Sequence, residues 1–269
     1  MAACCLSGTP SPGPVSGDDV LAKAADTTDQ GLAVPYSGLR EYNLHNLRFG
    51  KQAKVSVRMQ YRPREGKTFR IVERTGNSML TGIIDRILES ETEESRLPKG
   101  STHELGPANY WTNLRRTEAI SGRPCYAIEL KPKSKNKYLI RGTLWVDMEN
   151  FALVKLQGST ATNVSMWVGT PQITEEFRQI GGLSLPVFIR SIATSMWLGT
   201  SELEVRFSDY RVGESNRDFG STTPHREGAS ASRPGTPQAG VKYAGRAAFA
   251  FTVTPKSTTG CPRSKSLTM

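Results

Sequence analysis

Ala53-Lys54-Val55-Ser56-Val57-Arg58-Met59-Gln60-Tyr61 is the stretch from which the fold is read. Val55, Val57, Met59 and Tyr61 alternate with Lys54, Ser56, Arg58 and Gln60, the period of a strand with one apolar and one wet face. The same alternation returns near the other end of the regular region, where Leu203, Val205 and Phe207 stand opposite Glu202, Glu204, Arg206 and Ser208. Between the two, strands are predicted at about 69–74, 125–131, 137–147, 151–158, 172–179 and 184–195. The period is already two from Ser37, so about nine strands are expected in all. Lys133-Ser134-Lys135-Asn136, Asp147-Met148-Glu149-Asn150 and Gly181-Gly182 read as their connections, and strands joined by loops this short run antiparallel.

Two segments break the period of two. Ser16 followed by Asp19 looks like a capping box opening a helix to about Gln30, with Val20, Leu21, Ala24 and Ala25 as its apolar stripe. Residues 77–96 place Leu80, Ile83, Ile84, Ile87 and Leu88 at helical spacing. The fold class is therefore α+β: a strongly curved antiparallel sheet forming a half-open β-barrel with covering helices.

Composition divides the chain further. Residues 214–269 hold few large apolar side chains and many Gly, Pro, Ser and Thr, so they read as a disordered basic tail, and residues 1–17 read as a linker or signal remnant. The domain is predicted at 18–213. Of 35 Lys+Arg and 25 Asp+Glu, eight and three lie in the tail, leaving 27 against 22 and a net +5 out of the total +10. So modest an excess falls short of the concentrated basic face that nucleic acid requires. Cys4, Cys5, Cys125 and Cys261 form no CxxC pair and no Cys/His cluster, which leaves Cys125 as a buried structural thiol with no zinc or redox role. No run of 18 apolar residues occurs and no export signal is visible, although Ala2-Ala3-Cys4 has the small-small-Cys pattern that ends a lipoprotein signal.

Chemistry-bearing motifs are absent: there is no G-x-S-x-G elbow, P-loop, G-x-G-x-x-G or H-E-x-x-H. His45, His103 and His225 are far apart, His45 reads as a strand-surface residue, and Asp147 and Glu149 read as turn and surface positions. The expectation is a protein without catalytic residues, metal or cofactor. Its apolar side chains point to another use. Val55, Val57, Met59, Leu80, Ile83, Ile84 and Ile87, with Trp145, Val154, Met166, Trp167, Leu203, Val205 and Phe207, are the candidates for lining a cavity on the concave sheet face. Flexible Met and broad aromatic surfaces suit ligands of variable shape, and the helix at Leu80–Leu88 would be the lid. Lys131, Lys133, Lys135 and Lys137 form a basic hairpin, a candidate for anionic surfaces as well as an ordinary solvated loop.

A family resemblance rests on particular runs. Arg123-Pro124-Cys125-Tyr126 through Glu129-Leu130-Lys131-Pro132-Lys133, then Lys137-Tyr138-Leu139-Ile140-Arg141-Gly142, Leu144-Trp145-Val146-Asp147 and Phe151-Ala152-Leu153-Val154, resemble the LolA-like outer-membrane lipoprotein-sorting proteins. Glu202-Leu203-Glu204-Val205 and Phe207-Ser208-Asp209-Tyr210 fit the same group, over a likeness spanning about residues 19–212. The resemblance implies a half-open barrel capped by helices, an apolar cavity for acyl chains, and residence in the periplasm or cell envelope. It also implies partners: lipid acyl chains or lipoproteins, and membrane-associated proteins that deliver or accept them. A lipid-sensing or regulatory partner-binding module is the alternative that uses the same cavity, since fold alone does not fix function.

Overall fold

The computed structural model describes residues 15–96, 104–163 and 169–213. Its elements are α1 (Gly17–Gly31), β1 (Tyr36–Asn46), β2 (Lys51–Arg62), β3 (Gly66–Gly76), α2 (Ser78–Glu94), β4 (Tyr110–Ile120), β5 (Arg123–Pro132), β6 (Ile140–Asp147), β7 (Leu153–Thr160), β8 (Gln172–Ile180), β9 (Leu183–Ser195) and β10 (Gly199–Val212). The ten strands form one antiparallel sheet in the order β3-β2-β1-β10-β9-β8-β7-β6-β5-β4. Every strand pairs with its sequence neighbours except β3 and β4, and one long-range ladder, in which Tyr42 faces Val205 and Leu44 faces Leu203, joins β1 to β10. β3 and β4 are the two edges, so the sheet is open.

Local chemistry sets the turns. Gly181 and Gly182 both have positive φ, 57° and 81°, the two-residue hairpin geometry that glycine adopts at no steric cost. Register shifts interrupt the ladders at Ser37/Leu39, Ser56/Val57, Leu114/Arg116, Trp145/Val146 and Glu176/Phe177. Each such bulge bends its strand and increases the twist, which coils the sheet around the helices.

The apolar face of β2 is buried as its alternation predicts: Val55, Val57, Met59 and Tyr61 are each 0 % exposed. Three clusters cover the inner face. α2 packs Leu80, Ile84 and Ile87 on Val55, Val57, Leu203 and Val205. α1 packs Val20, Leu21 and Ala24 on Ile128, Leu144, Val146 and Leu156. Tyr36, Met59, Tyr61, Leu183 and Leu185 fill the space between them. Both helices start where the sequence places them: the Ser16 hydroxyl accepts from Asp19 N, and the Asn77 side chain accepts from Met79 N and Leu80 N.

Three expectations need correction. There are ten strands, because Tyr110–Ile120 is the edge strand β4; only Tyr110 in it is buried, so no apolar alternation marks it. β6 begins at Ile140, three residues after the predicted start, since Asn136 closes a turn through Leu139 N and Tyr138 N. Asp147 is a turn residue, accepting from Glu149 N at 2.9 Å, but it lies 3 % exposed beside Arg123 rather than on the surface. Residues 1–14, Met166, Trp167 and the tail 214–269 lie outside the described residues.

Candidate functional site

α2 covers the part of the inner face formed by Val55, Val57, Leu203 and Val205. Its start is fixed by Gly76, with φ of 95°, where a Cβ would stand 2.4 Å from the Gln52 carbonyl oxygen. Asn77 N then donates to that same carbonyl at 2.8 Å, so the chain turns sharply from β3 into the helix. From this elbow α2 crosses the sheet with Leu80, Ile83, Ile84, Ile87 and Leu88 directed inward, all 8 % exposed or less. Burial of such side chains contributes about 1.5–3 kcal/mol each.

The far end of α2 is held differently. Glu91 continues the stripe of Leu80, Ile84 and Ile87, so its carboxylate also points into the interior. There Arg40 Nη1 donates to Glu91 Oε2 at 2.8 Å and Lys67 Nζ donates to the same oxygen at 3.2 Å. Arg40 is the charged member of the inward-facing series Tyr36, Arg40, Tyr42 and Leu44 on β1. Its guanidinium lies over the rings of Phe69 and Phe207, at 5.1 and 4.9 Å, and Nη1 also donates to the Tyr42 hydroxyl. Lys67 N donates to Ser95 Oγ, which fastens the residue after the helix to β3. Arg40 Nε and Glu91 Oε1 have no partner among the described residues.

Burial pushes the Glu91 carboxyl up, but Arg40 and Lys67 outweigh it and hold the group below the usual carboxylate range. Burial lowers Lys67 even beside Glu91. Glu94, one turn on, has no cation close enough to offset its burial, and its pKa is pushed up to about 7, with Glu91 adding to the rise. A carboxyl raised in the fold stabilises it fully below the unfolded value near 4.5, and this contribution is lost as pH rises through about 7. Between those values the wild-type protein is expected to lose on the order of 3 kcal/mol in urea unfolding as pH increases. Glu94→Gln should flatten that slope; an unchanged slope would assign it to another group.

Beside the C-terminal end of α1, at Thr28 and Gly31, lies a cavity of about 80 Å³ bordered by Tyr36, Arg40, Lys67, Leu153, Phe177 and Leu185. Two tyrosine hydroxyls hold residues of its lining: Tyr61 donates to Leu32 O, and Tyr210, itself in the lining, donates to Pro186 O. The space is smaller than the ~150 Å³ that holds a benzene molecule in an apolar core. This cavity has no room for an acyl chain.

The structure gathers Val55, Val57, Leu80, Ile83, Ile84, Ile87, Leu203, Val205 and Phe207 in the one cluster beneath α2. Met59 belongs to the cluster between the helices. Trp145 and Val154 pack with Cys125 and Ala127 in a separate cluster, Trp145 donating its indole N–H to Glu118, while their neighbours Leu144, Val146 and Leu153 belong to the cluster under α1. Lys131, Lys133 and Lys135 are exposed and Lys137 is half-buried with Nζ over the Tyr138 ring. The Arg40–Glu91–Lys67 group was absent from the residues expected at the site. A charged residue on the buried parity of a strand, and another on the buried stripe of a helix, were the signals that could have revealed it.

No family model matches the chain, and no curated protein does. Solved structures are similar to it, three of which follow. A LolA superfamily protein from Nitrosomonas europaea is 14% identical, with a TM-score of 0.40, over 74% of this chain and 94% of that one. An outer membrane lipoprotein-sorting protein domain from Vibrio parahaemolyticus is 13% identical, with a TM-score of 0.37, over 72% and 91%. A DUF1329 family protein from Desulfovibrio piger is 15% identical, with a TM-score of 0.38, over 77% and 96%. At these scores the likeness carries no inference about ligand or partner.

Proposed function

We propose that the protein binds lipid acyl chains without catalysis, on the inner face of the sheet, in the bacterial envelope. The observation carrying this reading is the cluster beneath α2: a broad apolar face covered by one helix that is fastened at its ends, by the Gly76–Asn77 elbow and by Glu91. Displacing α2 opens that face, and an acyl chain lying on Val55, Val57, Leu203, Val205 and Phe207 takes the place of the stripe of α2. Eight buried methylenes contribute roughly 6 kcal/mol at about 0.8 each, against an association cost of at least about 4. A lipid with two or three chains therefore binds far more tightly than a fatty acid. The folded domain of this reading is 18–213, with lipid or lipoprotein as its cargo.

The test is organic extraction of the full chain purified from bacterial cells, with mass spectrometry of the extract and a denatured sample as control. Stoichiometric phospholipid, fatty acid or acylated peptide is expected in the folded sample alone. A protein that is empty in repeated preparations and takes up no fluorescent fatty acid would sink the proposal.

A further inference from the structure

One end of the sheet differs from the other. The β1–β2 turn, the β9–β10 turn, the start of β4 and the start of α2 lie at the same end, as the pairings Asn46↔Lys51, Gly199↔Ser195, Tyr110↔Pro132 and Ala53↔Gly76 require. Leu47, Phe49, Met79, Trp111, Met196 and Trp197, six of the nine exposed large apolar residues among those described, are at this end. The turns at the opposite end present Arg64, Glu65, Ser121, Gly122, Gly181 and Gly182, and none of the nine. Turn position alone does not account for the apolar tips.

Four of the six are presented together. β1 and β10 are neighbours, so the β1–β2 and β9–β10 turns sit side by side, with Leu47 52 %, Phe49 51 %, Met196 68 % and Trp197 66 % exposed. The two turns brace each other. Leu47 N donates to Thr200 O at 2.9 Å, Asn46 Nδ2 to Leu198 O at 2.7 Å, and Arg48 Nη1 to Trp197 O at 3.3 Å. Apolar side chains on a platform held this way meet a surface without first having to be ordered. Cations flank them: Arg48 and Lys51 on the same turn, and Lys131, Lys133 and Lys135 further along the same end, with Lys133 Nζ 4.2 Å from the Trp111 ring centre.

We propose that the paired β1–β2 and β9–β10 turns are a membrane-docking tip that inserts into the interface of an anionic bilayer. Aromatic and Met side chains suit the headgroup boundary, and the surrounding Arg and Lys suit anionic phosphates. Each basic residue near such a surface strengthens partition about fivefold. No helix among the described residues is long and apolar enough to cross a membrane. Docking is independent of the acyl-chain reading, since it needs no opening of α2.

The experiment is co-sedimentation of the full chain with vesicles of phosphatidylethanolamine and phosphatidylglycerol, and with vesicles of phosphatidylcholine alone. The wild type is expected to prefer the anionic vesicles and to show a blue-shifted Trp emission on them, a shift that Trp197→Phe reduces while partition persists. Met196→Ser/Trp197→Ser should reduce partition at least tenfold at an unchanged Tm, and a control at the opposite end, Arg64→Ser, should leave it unchanged. Equal partition of the wild type and the double variant overturns the proposal. So does a wild type that ignores vesicles but self-associates through these turns, which would make the tip a contact between copies of the chain. A variant that stops docking yet retains extractable lipid separates this proposal from the acyl-chain reading.

Discussion

Glu91→Ala is expected to lower the unfolding free energy by about 3–5 kcal/mol at neutral pH, measured by urea titration. Glu91 Oε2 is the shared acceptor of Arg40 and Lys67, and all three residues are 5 % exposed or less. Removing it leaves two adjacent buried cations without their carboxylate. The loss therefore exceeds the value of the contact itself. The same logic distinguishes breaking the group from replacing it. Arg40→Met/Lys67→Met/Glu91→Leu removes every buried charge together and should regain most of the stability, because the desolvation cost of the ions disappears with them. A loss below about 1 kcal/mol for Glu91→Ala, the range of an exposed pair, would show that water screens the cluster.

The sign of the acid response follows from the same carboxylate. Glu91 is held below the unfolded range, so its contribution is present above the unfolded pKa and is lost as pH falls through the folded one. Glu94 works in the opposite direction, losing its contribution as pH rises through about 7. Two residues three positions apart on α2 thus weaken the C-terminal fastening of the helix from opposite sides of the pH scale.

The sheet was legible where one face is buried and the other wet. β10 is of this kind; β2 has the same alternation in sequence, but its polar face is not wet, since Ser56 and Gln60 are buried as well and Lys54 and Arg58 are half-buried. The alternation of the two strands located the apolar surface that the rest of the fold covers. Helix ends were legible because caps are local: Ser16 and Asn77 act on residues two or three positions away. β4 was not legible, because an edge strand with Arg115-Arg116 at its centre and little buried surface has no periodic signature. The Arg40–Glu91 contact was not legible as a contact, since it joins residues 51 positions apart and depends on how β1 and α2 are superposed. Asp147 was misread for a related reason. Its turn chemistry is local and visible, whereas its burial beside Arg123 comes from tertiary packing. The aromatic and Met set was only partly separable, because sequence alternation does not tell which face of β6 and β7 is the inner one, and Trp145 packs apart from its neighbours Leu144 and Val146.

Ile84→Ala and Leu144→Ala are expected to cost similar stability and to differ in their effect on ligand. Each residue is 0 % exposed, Ile84 in the cluster under α2 and Leu144 in the cluster under α1. Large-to-small substitution at such sites costs about 2–5 kcal/mol, through lost burial and the cavity left behind. If an acyl chain binds the state in which α2 has moved aside, its apparent affinity is reduced by the small population of that state. Ile84→Ala destabilises the closed arrangement specifically and leaves the sheet face intact, so binding of a fluorescent fatty acid should tighten roughly tenfold or more, as a change of about 1.4 kcal/mol in the opening equilibrium gives. Leu144→Ala loosens the packing of α1 and leaves α2 in place, so affinity should stay near the wild-type value although the Tm falls equally. Matched tightening in both variants would assign uptake to general loosening of the interior, and matched indifference would remove α2 from the entry path altogether. Weaker binding in Ile84→Ala alone would mean that this side chain belongs to the ligand's surface and that α2 stays in place when the chain binds.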